Sequence, residues 1–148
     1  MTKNLLILID FSEKYRHILD YGVEIGRAFG SKIWLLHVAG PEPDFVGYEV
    51  GPQYIRNQRA EQLRQEHKQM GALKEELRRS GLDCEALLIH GAIERSILDE
   101  IEKLEIDLVV LGNNRHGRLY EMVVGSVGRE VLHAVNIPVV LVPTPDQD

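Results

Sequence analysis

Short apolar runs alternate along the chain with stretches of helical spacing. Leu5-Leu6-Ile7-Leu8-Ile9 is continuously apolar and closes on Asp10, the pattern of a strand covered on both faces. Tyr15, Ile18, Leu19, Gly22, Val23, Gly26 and Phe29 then recur three or four apart, which predicts one helix face, and Gly30 stands where that helix can end. Ile33-Trp34-Leu35-Leu36-His37-Val38 reads as a second buried strand. Leu63, Met70, Leu73 and Leu77 stripe a long charged helix, running from Arg56 to Arg79, that stops near Gly81. Ala86-Leu87-Leu88-Ile89 gives a third strand and Ile93, Ile97, Ile101 and Leu104 a third helix. Leu108-Val109-Val110-Leu111 gives a fourth strand, Val127, Val131 and Val135 a fourth helix, and residues 137–142 a fifth strand. Strands that alternate with helices specify an α/β fold: a doubly wound, Rossmann-like sheet of five parallel strands, with right-handed crossovers and helices on both faces. Residues 1–148 read as a single domain.

One stretch breaks the alternation. Residues 40–53 are rich in Gly and Pro and long for a connection in a compact unit, so they form either a lid over the carboxyl edge of the sheet or a plain surface spacer. Gly22 and Gly26 form a Gly-x-x-x-Gly, but Arg16, Asp20, Glu24 and Arg27 share the helix, which therefore packs on a sheet and not in lipid.

Composition narrows the function classes. An apolar share of 44% and a charged share of 27% are those of an ordinary globular protein. The formal charge of −6 repels polyanions, which argues against a protein that grips DNA or RNA, while a small nucleotide on a locally basic loop stays compatible. Cys84 is the only cysteine, so no intrachain disulfide can form, and a reducing, cytoplasmic setting is expected. Neither a signal-peptide core nor a membrane span is expected, because the apolar runs are too short.

Open parallel sheets bind ligands beyond the carboxyl ends of their strands. The residues there are Asp10-Phe11-Ser12, Val38-Ala39-Gly40, His90-Gly91 and the segment from Gly112 onward. The last is the richest. Gly112-Asn113-Asn114-Arg115-His116-Gly117-Arg118 leaves the fourth strand and Gly125-Ser126 opens the next helix. Glycines let backbone N–H groups approach an anion, a helix N-terminus adds unpaired donors, and Arg115, His116 and Arg118 make a basic patch on an acidic chain.

In these motifs the sequence resembles the universal stress protein family. The family's nucleotide loop has a glycine, two residues, a second glycine, nine residues, then Gly-Ser or Gly-Thr. This chain keeps that spacing with Gly112, Arg115 and Gly125-Ser126, an arginine replacing the second glycine. Ile9-Asp10-Phe11-Ser12, Leu36-His37-Val38, Gly91, Asp107 and Ile137-Pro138-Val139-Val140-Leu141-Val142 match in order along the chain. The resemblance implies ATP or AMP as ligand, with Mg²⁺ able to arrive with ATP. It implicates Leu8, Asp10 and Val38 in holding adenine and ribose, and Leu111, Gly112, Asn114, Gly125, Ser126 and Val127 in holding the rest of the nucleotide. Arg115 either blocks the phosphates or binds them as a charged fork. The resemblance further implies a homodimer paired through the fifth strand, whose opening Pro138 suits a sheet edge.

Plainer readings stand beside these. Asp10-x-x-Glu13 fits a helix capping box and Ser126 an ordinary N-cap. His37 is expected as a hydrogen-bonded core histidine, His90 and His116 can face the ligand edge, and no spacing suggests a protein-held metal. Three functions follow: a nucleotide-binding sensor or switch of the stress response, a family member that has lost nucleotide and serves as a dimeric interaction module, and a nucleotide hydrolase. The last is weakest, since no base, nucleophile or phosphate-binding lysine stands out.

Overall fold

A computed structural model describes residues 2–9, 11, 15–39, 53–90, 93–113 and 134–143. In chain order the elements are β1 (Asn4–Ile9), α1 (Tyr15–Phe29), β2 (Lys32–Ala39), α2 (Gln53–Arg79), β3 (Cys84–His90), α3 (Ile93–Lys103), β4 (Leu108–Asn113) and β5 (Val139–Pro143). The strands form one parallel sheet in the order β3-β2-β1-β4-β5. The chain winds outward from β1 to β3, then crosses back over β1 to lay down β4 and β5. The order therefore reverses between β1 and β4.

Helices cover both faces. Leu5, Ile7, Ile9, Ile33, Leu35 and Val110 pack with Ile18 and Leu19 of α1 and with Met70, Leu73 and Leu77 of α2. Leu6, Leu8, Leu36, Val109 and Leu111 pack on the other side with Ile97 of α3 and with Ile106. β1 is buried along both faces, as its unbroken apolar run requires. α1 ends at Gly30, whose φ of 64° is open to glycine at little cost. The Gly22 and Gly26 pair lets α1 sit close on the sheet: a β-carbon at Gly26 would stand 2.9 Å from Ile33 Cδ1, and one at Gly22 would overlap Ile7.

Several boundaries differ from those read in the sequence. α2 begins at Gln53, earlier than its apolar stripe shows, and β3 runs from Cys84 to His90. β4 continues through Gly112 and Asn113, because β5 keeps pairing there and supplies hydrogen bonds that local composition cannot reveal. β5 begins at Val139 instead of Ile137 and reaches Pro143. Pro138 has no N–H to donate, although its carbonyl still accepts from Val109 N at 3.1 Å. Of the expected fourth helix, Val127 and Val131 lie outside the described residues, as do residues 40–52, while Val135 is not helical and falls just after the helical Ala134.

Candidate functional site

β1 and β4 part where the strand order reverses. Their pairing ends at Ile7 with Val110, while β1 stays paired with β2 as far as Ile9 with His37, and β4 with β5 as far as Asn113 with Pro143. Between the carboxyl ends of two adjacent strands, backbone N–H and C=O groups are thus freed from the ladder. In an open parallel sheet this is the position of the ligand crevice.

Leu8 and Leu111 flank this gap on the face that packs against α3, with side chains 3% and 2% exposed. What they can offer a ligand is backbone. Val38 pairs with Ile89 one residue before the end of β2, on the neighbouring strand. Gly112 turns its missing side chain toward α1: a β-carbon there would stand 3.0 Å from Ile18 Cγ1 and overlap Ile18 Cδ1. A packing requirement therefore explains this glycine without any ligand. Asp10, Asn114, Arg115, Gly125, Ser126 and Val127 lie outside the described residues, as does His116.

His37 is the core histidine expected of it, 2% exposed, with Nδ1 donating to the Ile9 carbonyl at 2.7 Å. Its other nitrogen, Nε2, faces Glu66 Oε2 of α2 at 3.4 Å without the alignment of a hydrogen bond. Phe11 lies edge-on to the imidazole at a centroid distance of 4.8 Å, and Tyr15 edge-on to Phe11 at 5.2 Å. Phe11 has φ of 55°, a left-handed conformation uncommon for a residue with a side chain. Reading α2 as a long charged helix with an apolar stripe does not single out Glu66. The signal was present: Glu66 stands three residues after Leu63 and four before Met70, within the apolar stripe.

At the opposite end of the sheet, Asp107 joins β1 to β4. Its Oδ2 accepts from Lys3 N at 2.8 Å and Asn4 N at 2.9 Å, and its own N–H donates to the Asn4 carbonyl at 2.8 Å. Those backbone donors hold the carboxyl below the usual aspartate range. Among the described residues no group of three or more His, Cys, Asp or Glu side chains is arranged to hold a metal ion. In the same residues no helix is long and apolar enough to cross a membrane.

Comparison with known proteins gives a consistent picture. A sequence profile of the universal stress protein family matches residues 1–143. Universal stress protein YxiE of Bacillus subtilis is 25% identical over 147 residues, covering 96% of this chain and 99% of that protein. Among solved structures, hypothetical protein MJ0577 superposes with a TM-score of 0.74 at 27% identity, covering 99% of both chains. A universal stress protein family protein from Arabidopsis thaliana with AMP bound superposes with a TM-score of 0.65 at 18% identity, covering 97% of this chain and 92% of that one, a likeness of fold.

Proposed function

The chain belongs to the universal stress protein family, and from that premise we propose that it is an adenine-nucleotide-binding sensor or switch, taking AMP or ATP and working as a cytoplasmic homodimer in the stress response. The observation that carries this reading is the parting of β1 and β4 after Ile7 and Val110. Leu8 and Leu111, two of the residues that the resemblance gives to the nucleotide, flank that gap, and Asp10 and Gly112 follow them closely in sequence. The AMP-bound protein of the same fold supports the ligand class.

On this reading Leu8, Asp10 and Val38 hold adenine and ribose. Leu111, Gly112, Asn114, Gly125, Ser126 and Val127 hold the remainder, and Arg115 meets the phosphates with its guanidinium. Mg²⁺, when present, comes with ATP and sits on phosphate oxygens. Binding shifts the population of conformers or of partners, and no residue is assigned to a chemical step.

A second reading, a dimeric interaction module without nucleotide, is favoured by one fact: Arg115 stands where the family's nucleotide loop has glycine. Mass spectrometry of small molecules released from the purified protein, with calorimetry on adding AMP or ATP with Mg²⁺, separates the two. Co-purifying adenine nucleotide or a binding isotherm is expected. Neither nucleotide released nor heat evolved, with binding recovered in Arg115→Gly, replaces the sensor with the module.

A further inference from the structure

His37 is an expensive way to fill a core. A leucine in its place would bring no polar atom of its own to satisfy, whereas the imidazole buries two nitrogens and draws a carboxylate in after it. One nitrogen is well used. A carbonyl oxygen only accepts, so the 2.7 Å contact with Ile9 O makes Nδ1 the protonated nitrogen. That leaves Nε2 toward Glu66, the acidic group of α2 that turns inward; it is held at its other oxygen by Gln62 Nε2 at 3.5 Å.

The carbonyl so engaged belongs to the last residue of β1, where the chain leaves the sheet. Phe11 follows two residues later in its left-handed conformation, with its ring against the same imidazole. His37 thus holds Ile9 by a hydrogen bond and Phe11 by ring contact. Those are the two neighbours of Asp10 in the sequence.

We propose that His37 is a positioning residue for the nucleotide site: it fixes how the chain leaves β1 by holding Ile9 and Phe11, on either side in sequence of the residue that the nucleotide reading assigns to ribose. The inference rests on the nucleotide reading above. It assigns the histidine a task that volume and polarity alone do not, namely donation from the Nδ1 position to one carbonyl.

Asparagine and glutamine separate these requirements, since the asparagine amide reaches the place of Nδ1 and the glutamine amide the place of Nε2. Calorimetry with AMP on the full chain should give His37→Asn an affinity within about threefold of wild type, and His37→Gln and His37→Leu affinities about tenfold weaker, the loss of one buried hydrogen bond. Two readings on the nucleotide-free protein accompany it. Imidazole ¹⁵N shifts should show the Nδ1–H form, and amide exchange at Phe11 should accelerate in His37→Gln but not in His37→Asn. Equal AMP affinity across all variants overturns the inference and leaves the nucleotide reading intact. Unchanged exchange at Phe11 overturns it as well, whatever the affinities. A wild-type chain that binds no AMP overturns the nucleotide reading itself, a result distinguishable from either.

Discussion

A β-carbon on Gly112 would run into Ile18, which is 1% exposed and hemmed in by the sheet, so the room for it to move is small. Gly112→Ala is therefore expected to destabilise the protein by about 1–3 kcal/mol, the usual effect of forcing an extra methyl into a packed core. Combining it with Ile18→Val, which removes the overlapping methyl, should return part of that loss in a urea-unfolding cycle. A fully additive pair would show that the glycine answers to something other than α1. Cys84 also has its character set by surroundings: it is fully buried, and burial pushes its thiol up to about 12. Motif spacing points to Gly112 for a ligand; its packing against Ile18 is not legible there, because a sequence does not show which face of β4 meets α1.

At the scale of elements, Asp107 does for β1 and β4 at their amino ends what their ladder stops doing after Ile7 and Val110. Because its folded carboxyl lies below the ordinary aspartate value, the contribution it makes is present above about pH 4 and is lost as pH falls through the folded value. Asp107→Asn should accordingly be less stable than wild type at pH 6, with the difference shrinking in acid below pH of about 4; a difference that persists undiminished there would assign the effect to shape rather than charge. Resemblance marked Asp107, but its partners lie 104 and 103 residues away, a separation no local pattern encodes. α1 was legible for the opposite reason: its apolar spacing and Gly30 are local, and both ends agree with the structure. The bidentate pair of Arg16 with Glu76, at 2.7 and 3.0 Å, ties α1 to α2 across the surface and was equally hidden. It lowers the Glu76 carboxyl and raises the Arg16 guanidinium.

For the whole molecule, a parallel sheet with helices on its faces is legible in the alternation of strand and helix patterns, while the order β3-β2-β1-β4-β5 is not. Nor are the strand ends, since Gly112, Asn113 and Pro138 owe their states to pairing partners elsewhere in the chain. Dimerisation is best tested on β5, where the structure separates two residues that look equivalent in sequence. Val140 packs against the core beside α1, whereas Leu141 is 46% exposed. Leu141→Asp is expected to give a folded monomer by sedimentation at micromolar concentration, while wild type sediments as a dimer; equal sedimentation of the two would exclude pairing through this strand. The two margins of the sheet are unlike. On β3, Arg78 lies over the strand's start, donating to the Cys84 carbonyl at 2.9 Å and pairing with Glu85. Self-association by edge addition requires a free margin on each side if it is to propagate, and here charge and a capped carbonyl guard one of them. On the proposed pairing, growth through β5 would stop at a closed pair, which would keep a chain with an apolar edge strand from becoming the monomer of a fibre.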